Sequence, residues 1–121
     1  MQKKKTLVLG ASAKPDRYSY LAVNKLVARG FPVVAVGKKA GTVNNIEIST
    51  DQKHFENIDT VTLYLNPVHQ KAYYNYIFSL HPKRIIFNPG AENTELAELA
   101  RQKGILSMEA CTLVLLSTGQ Y

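Results

Sequence analysis

The sequence predicts an α/β fold: a Rossmann-like, doubly wound parallel sheet of about five strands in three layers. Three observations predict it. Apolar runs such as "TLVLG", "PVVAV" and "TVTLYL" show no polar alternation, which marks strands buried on both faces. Amphipathic stretches with helical spacing stand between those runs. Strands and helices that alternate in this way build a parallel sheet covered on both sides by right-handed crossovers. The 121 residues contain no repeat, linker or low-complexity segment, so residues 1–121 read as a single domain.

The elements follow in order. Residues 5–10, "KTLVLG", form a buried strand. Residues 19–30 form a helix, with Ser19 as cap, Val23, Leu26 and Val27 on one face, and Gly30 past its end. Residues 32–37 form a second apolar strand. Residues 38–58 are polar and irregular, with one short extended piece at Ile46–Ile48. Strand 60–65 leads into a helix over 67–82 whose Tyr73, Tyr76, Ile77 and Leu80 share a face. Strand 84–88, helix 94–104 (capped by Asn93 or Thr94) and strand 105–108 complete the pattern. The tail "TLVLLSTG" fits a last helical turn or a sixth edge segment. Two strand orders remain open, 3-2-1-4-5 and 2-1-3-4-5.

Composition narrows the function. Apolar residues make up 45% of the chain and charged residues 20%, which suits a packed core rather than a disordered chain. No apolar run approaches the roughly 20 residues that span a bilayer. The basic start "MQKKK" precedes too short an apolar run for a secretory signal, so a cytoplasmic location is expected. One cysteine, Cys111, excludes an internal disulfide. A formal charge of +6 suits an anionic partner: a phosphorylated ligand, nucleic acid or an acidic surface.

In a doubly wound sheet the ligand lies outside the carboxyl ends of the strands. The first such loop runs Gly10-Ala11-Ser12-Ala13-Lys14-Pro15-Asp16-Arg17. Small residues let an anion approach the backbone, hydroxyls of Ser12 and Ser19 can donate, and Lys14 and Arg17 supply charge. Ser12 and Pro15 stand where a dinucleotide fingerprint requires glycine, so the loop reads as a generic phosphate site or as a plain structural turn. After the second strand stand Gly37, Lys38 and Lys39, where NAD enzymes carry an acid for the ribose hydroxyls. Cations there suit a ribose phosphate, as in NADP or coenzyme A; a solvated lysine pair is the plainer alternative. Asn66 before Pro67 is a natural helix cap or a ligand contact. Asn88-Pro89-Gly90 forms a turn at a strand's carboxyl end. Cys111 is a rim thiol or inert packing, and His54, His69 and His81 are too scattered to hold a metal.

The stretch "LVLGASAKPDRYSYLAVNKLVARGFPVVAV" resembles the opening of the small bacterial CoA-binding domain proteins. "IDTVTLYLNP", "PKRIIFNPGAENTELAELARQKGI" and "MEAC" resemble their later segments in the same order. The same fold forms the CoA-binding N-terminal domain of the succinyl-CoA synthetase alpha subunit. Many members carry Asn-Pro after the second strand, where this chain has Gly37 and Lys38. The resemblance implies that Gly10, Ala11, Ser12, Lys14, Arg17 and Ser19 frame the phosphates, with Tyr18 beside them. It places Val36, Gly37 and Lys38 at the adenosine or its 3′-phosphate. Tyr64, Leu65 and Asn66 then line the opposite wall, and Asn88, Pro89 and Gly90 the pantetheine path. The expected function is a stand-alone coenzyme A or acyl-CoA binding protein without catalysis of its own, with a protein partner or homo-oligomer left open. The alternatives are a small NADP-binding oxidoreductase, with Tyr18, Tyr20 or Glu109 as its proton donor, and a basic nucleic-acid-binding protein.

Overall fold

A computed structural model describes residues 3–121; Met1 and Gln2, part of the basic start and of the 1–121 domain, lie outside the described residues. Seven strands form one sheet: β1 (Thr6–Leu9), β2 (Val33–Val36), β3 (Gly41–Val43), β4 (Ile46–Ser49), β5 (Thr60–Leu63), β6 (Arg84–Phe87) and β7 (Leu106–Glu109). Their spatial order is β3-β4-β2-β1-β5-β6-β7. All neighbours pair in parallel except β3, which turns back antiparallel on β4. The helices are α1 (Tyr18–Ala28), α2 (Pro67–Gln70), α3 (Tyr74–Ser79), α4 (Thr94–Gln102) and α5 (Thr112–Ser117). Among the described residues no helix is long and apolar enough to cross a membrane.

The expected count of about five strands is two short, and the two missing ones settle the topology. The piece expected at Ile46–Ile48 is a true strand, β4, paired with β2. Counting parallel strands alone, the order becomes 3-2-1-4-5-6, the Rossmann arrangement. Without β4 the remaining five would have read 2-1-3-4-5. The tail is helical, α5, rather than an edge segment.

Alternation along each buried strand sends its side chains to two cores. Leu7, Leu9, Val61, Leu63, Ile85 and Phe87 pack beneath α3 and α4 with Ile77 and Leu96. Val8, Ala35 and Ile86 pack on the other face with Val23 and Leu26 of α1 and Leu116 of α5. The helix expected over 67–82 is broken: α2 ends at Gln70, and a 3-10 turn over Lys71–Tyr73 leads into α3. Tyr76, Ile77 and Leu80 still face the core, as their spacing requires, while Tyr73 packs at its margin.

Tyr76 donates to the Lys53 carbonyl at 2.5 Å. Burial, with Tyr73 nearby, pushes its phenol up to about 12. The unfolded chain therefore ionises first, at tyrosine's ordinary value of about 10, and the fold loses stability as pH rises from there through about 12. Below that window the phenol is neutral in both states and adds no pH dependence. Urea midpoints taken across this alkaline range should fall in the wild type and fall less steeply in Tyr76→Phe.

Candidate functional site

The chain reverses direction across the sheet at β1: β2 and β4 lie to one side of it, β5, β6 and β7 to the other. Loops leaving β1 and β5 therefore diverge, and a crevice opens at the carboxyl ends of the strands. Backbone contacts hold its first wall. Gly10 and Ala11 N–H both donate to the Val36 carbonyl, at 2.9 and 3.0 Å. Gly10 has φ +94°, and a Cβ there would lie 2.9 Å from the Tyr64 carbonyl carbon. Only glycine combines that backbone angle with so close an approach. Gly37 is held by its amide on the Ser49 carbonyl, 3.0 Å away. A Cβ on Gly37 would come within 2.2 Å of the Ala11 carbonyl oxygen. The loops after β1, β2 and β5 thus meet backbone to backbone.

Two lobes make up the crevice. The larger, of about 470 Å3, is lined by Gly10 to Lys14, Arg17, Lys38, Lys39, Ala40, Tyr64, Leu65, Asn66 and His69. The smaller, of about 240 Å3, is lined by Gly10, Ser12, Arg17, Tyr18, Ser19, Tyr64, Leu65, Asn66, Pro89, Gly90 and Ala91. Six residues, Gly10, Ser12, Arg17, Tyr64, Leu65 and Asn66, belong to both, so the lobes form one continuous channel. Four cations, Lys14, Arg17, Lys38 and Lys39, line it with His69, and among the described residues no carboxylate does. Such a walled, uncompensated charge concentrates anions.

Most of the residues expected from sequence converge here: Gly10, Ala11, Ser12, Lys14, Arg17, Tyr18, Ser19, Lys38, Tyr64, Leu65, Asn66, Pro89 and Gly90. Three of the expected residues line neither lobe. Val36 is fully buried and offers the loop only its carbonyl. Gly37 is buried against Ala11 and acts as a spacer between loops, not as a lining residue. Asn88 is buried, donates to the Thr62 hydroxyl at 2.7 Å and the Leu63 carbonyl at 2.8 Å, and accepts from Thr112 N–H at 2.9 Å. All three hold the walls rather than line them.

Two finer points also change. The Gly10 and Ala11 amides are spent on Val36, whereas the N–H groups of Ser12 and Ala13, like that of Asp16 further along the loop, have no partner among the described residues. Ser12 Oγ accepts from Lys14 N–H at 3.1 Å, which shapes the turn. Ser19 is not a cap: α1 begins at Tyr18, Arg17 holds the cap position without a side-chain bond, and Ser19 is buried in the first turn. The caps of α2 and α4 are as their sequences indicate. Asn66 accepts from His69 N–H at 3.0 Å, and Asn93, rather than Thr94, accepts from Leu96 N–H at 3.2 Å.

Lys39 of the lysine pair and Ala13 of the first loop line the channel as well, and so do His69, Ala40 and Ala91, which the sequence did not single out as site residues. Position could have found His69, since it lies in the first turn of the helix that follows β5. Tyr64 spans both lobes, yet its hydroxyl is buried without a hydrogen-bond partner among the described residues. Burial holds that phenol well above its ordinary value, the Thr112 and Thr62 hydroxyls oppose the rise, and Cys111 adds to it. Cys111 itself is half-buried at the cap position of α5 and lines neither lobe.

Comparison with known proteins places these features. A family model described as a CoA binding domain matches residues 4–117. No curated protein matches the chain. The crystal structure of an uncharacterized protein superposes with a TM-score of 0.97 at 48% identity, covering 100% of both chains. A protein from Pyrococcus horikoshii OT3 shares the fold at TM-score 0.87 and 22% identity, over 96% of this chain and 83% of that one. The fold also recurs in a dinucleotide-forming acetyl-coenzyme A synthetase 1 of Ca. Korarchaeum cryptofilum, solved with phosphate and ADP. There the TM-score is 0.71 at 15% identity, and the match covers 92% of this chain but 26% of the synthetase.

Proposed function

The chain belongs to the CoA-binding domain family, and from that premise we propose that its channel binds coenzyme A or an acyl-CoA and that the chain contributes no catalysis of its own. The carrying observation is the channel's charge: four cations, no carboxylate among the described lining residues, and two lobes joined along the loop after β1. Coenzyme A has matching parts, a 3′-phosphate on the ribose, a pyrophosphate and a long, uncharged pantetheine arm. Lys38 and Lys39, at the end of β2, would take the 3′-phosphate. The amides of Ser12 and Ala13, with Lys14 and Arg17, would take the pyrophosphate. The uncharged arm would run through the smaller lobe past Tyr18, Leu65, Pro89 and Gly90. No acid stands after β2 to receive a bare ribose, which counts against NAD. Of the chain's 15 lysines and arginines, four line this channel, four (Lys3, Lys4, Lys5 and Lys83) line a separate groove at the opposite pole, and the rest lie elsewhere, so no single basic face favours nucleic acid.

Mass spectrometry of gently purified protein under native conditions should show a co-purified mass of coenzyme A or an acyl derivative. Calorimetry then tests the ribose phosphate. Coenzyme A should bind more tightly than dephospho-coenzyme A by about 1–2 kcal/mol, the contribution expected of a charge-assisted contact. Lys38→Ala should shrink that difference. Equal affinities for the two ligands would remove Lys38 from the site, and tighter binding of NADP than of coenzyme A would overturn the proposal in favour of a nicotinamide cofactor.

A further inference from the structure

Gln70, the last residue of α2, is fully buried, yet it belongs to no apolar cluster. Its side-chain amide donates to the Leu65 carbonyl and to the Ala91 carbonyl, each at 2.7 Å. Its Oε1 accepts from Asn93 Nδ2 at 2.8 Å. Asn93 caps α4 and also donates to the Tyr74 hydroxyl at 2.8 Å, which in turn donates to Glu95 at 3.0 Å. The two carbonyls that Gln70 holds come from different loops, one after β5 and one after β6. Leu65 and Ala91 are also facing lining residues of the smaller lobe.

We infer that Gln70 is a positioning residue that ties the two walls of the smaller lobe together and so fixes its width for the pantetheine arm. It touches no lining surface itself. One planar amide with two N–H donors can bridge two carbonyls, whereas a carboxylate would repel both and an aliphatic chain would leave both buried and unpaired. The bond from Asn93 fixes which way the amide points. The loop after β1, by contrast, packs on the Leu65 side chain but is fixed by its own backbone bonds, the Gly10 and Ala11 amides on the Val36 carbonyl, and shares no hydrogen bond with this bridge. Loss of Gln70 should therefore loosen the Leu65–Ala91 side of the channel most, while the bonds of Gly10 and Ala11 to Val36 stay in place.

The assignment of the arm to this lobe rests on the coenzyme A reading; the bridge itself does not. The test compares two ligands and one measurement without ligand. Adenosine 3′,5′-bisphosphate carries the adenosine and 3′-phosphate of coenzyme A but lacks the pantetheine arm. Gln70→Met should bind coenzyme A about tenfold more weakly, the scale of losing hydrogen bonds to two buried carbonyls. Its affinity for adenosine 3′,5′-bisphosphate should fall far less, because that ligand meets the bridge only at Leu65. Without ligand, amide hydrogen exchange should speed up at His69–Gln70 and Gly90–Ala91, whose amides are bonded within the two loops, but not at Gly10–Ala11, whose amides are bonded to Val36. Gln70→Asn, too short to span both carbonyls, serves if the methionine variant does not fold. Equal weakening of both ligands, or unchanged exchange in the two loops, would overturn the inference. If the wild type binds no coenzyme A, the functional reading fails and the exchange pattern alone decides the bridge.

Discussion

Gly37→Ala should abolish coenzyme A binding and lower the stability of the free protein by about 3 kcal/mol, the upper part of the usual range for forcing extra volume into a packed site. The added Cβ would sit 2.2 Å from the Ala11 carbonyl oxygen, a backbone atom that cannot rotate away. Relief requires the loops after β1 and β2 to separate. That separation breaks the paired amide bonds of Gly10 and Ala11 to Val36 and moves Ser12 and Lys14 away from Lys38. Thermal denaturation and calorimetry on the same sample check both parts. A variant that melts with the wild type and still binds would show that the two loops do not meet as described.

Ser12→Asp should have the complementary signature: binding weakened at least about a hundredfold, with the melting temperature nearly unchanged. An aspartate oxygen can accept the Lys14 N–H as the serine hydroxyl does, because Asx turns replace hydroxyl turns readily. The fold therefore tolerates the change. The carboxylate, however, would lie beside the unpartnered amides of Ser12 and Ala13 and among Lys14 and Arg17, taking the place of an anionic ligand. At a few ångströms in a partly walled channel, repulsion between like charges amounts to several kcal/mol. Titration of coenzyme A into the variant, with a melting curve alongside, separates a lost ligand from a lost fold. Persistent binding would move the phosphates to another part of the channel.

The framework was legible because burial on both faces leaves a plain mark. Leu7, Val34, Val61 and Ile85 sit in runs too apolar for any edge strand, and each run is a central strand. The piece at Ile46–Ser49 was harder to read, since its glutamate and serine belong to a strand near the margin, where only Ile48 is fully buried. That short strand nevertheless decides the order of the sheet. Among site residues, those whose side chains reach the channel were legible from charge and size: Lys14, Arg17 and Lys38 are plain in the sequence. Residues that shape it through the backbone were not. The family resemblance places Val36 at the adenosine, but alternation turns its side chain into the core and leaves the loop only its carbonyl. Asn88 and Gln70 look like any polar residue near a turn. Only three-dimensional placement shows that each bridges two segments far apart in the chain.

The contact of Gly10, Ala11 and Gly37 across the loop backbones also bears on the rate at which a ligand arrives. A loop fixed by the folded chain has no ordering left to do when an anion lands on it, so encounter need not wait for rearrangement. Association then follows how often a charged ligand diffuses into the mouth of the channel. That frequency is raised by the field of Lys14, Arg17, Lys38 and Lys39 and damped by salt over a Debye length of about 8 Å at physiological ionic strength. If coenzyme A binds as proposed, residence time would depend more on short-range contacts along the pantetheine arm, which ionic strength scarcely touches. On the proposed placement of coenzyme A, the basic loop would mainly set how quickly the ligand is captured, and the smaller lobe, where Arg17 is the one cation among the described lining residues, how long it is kept.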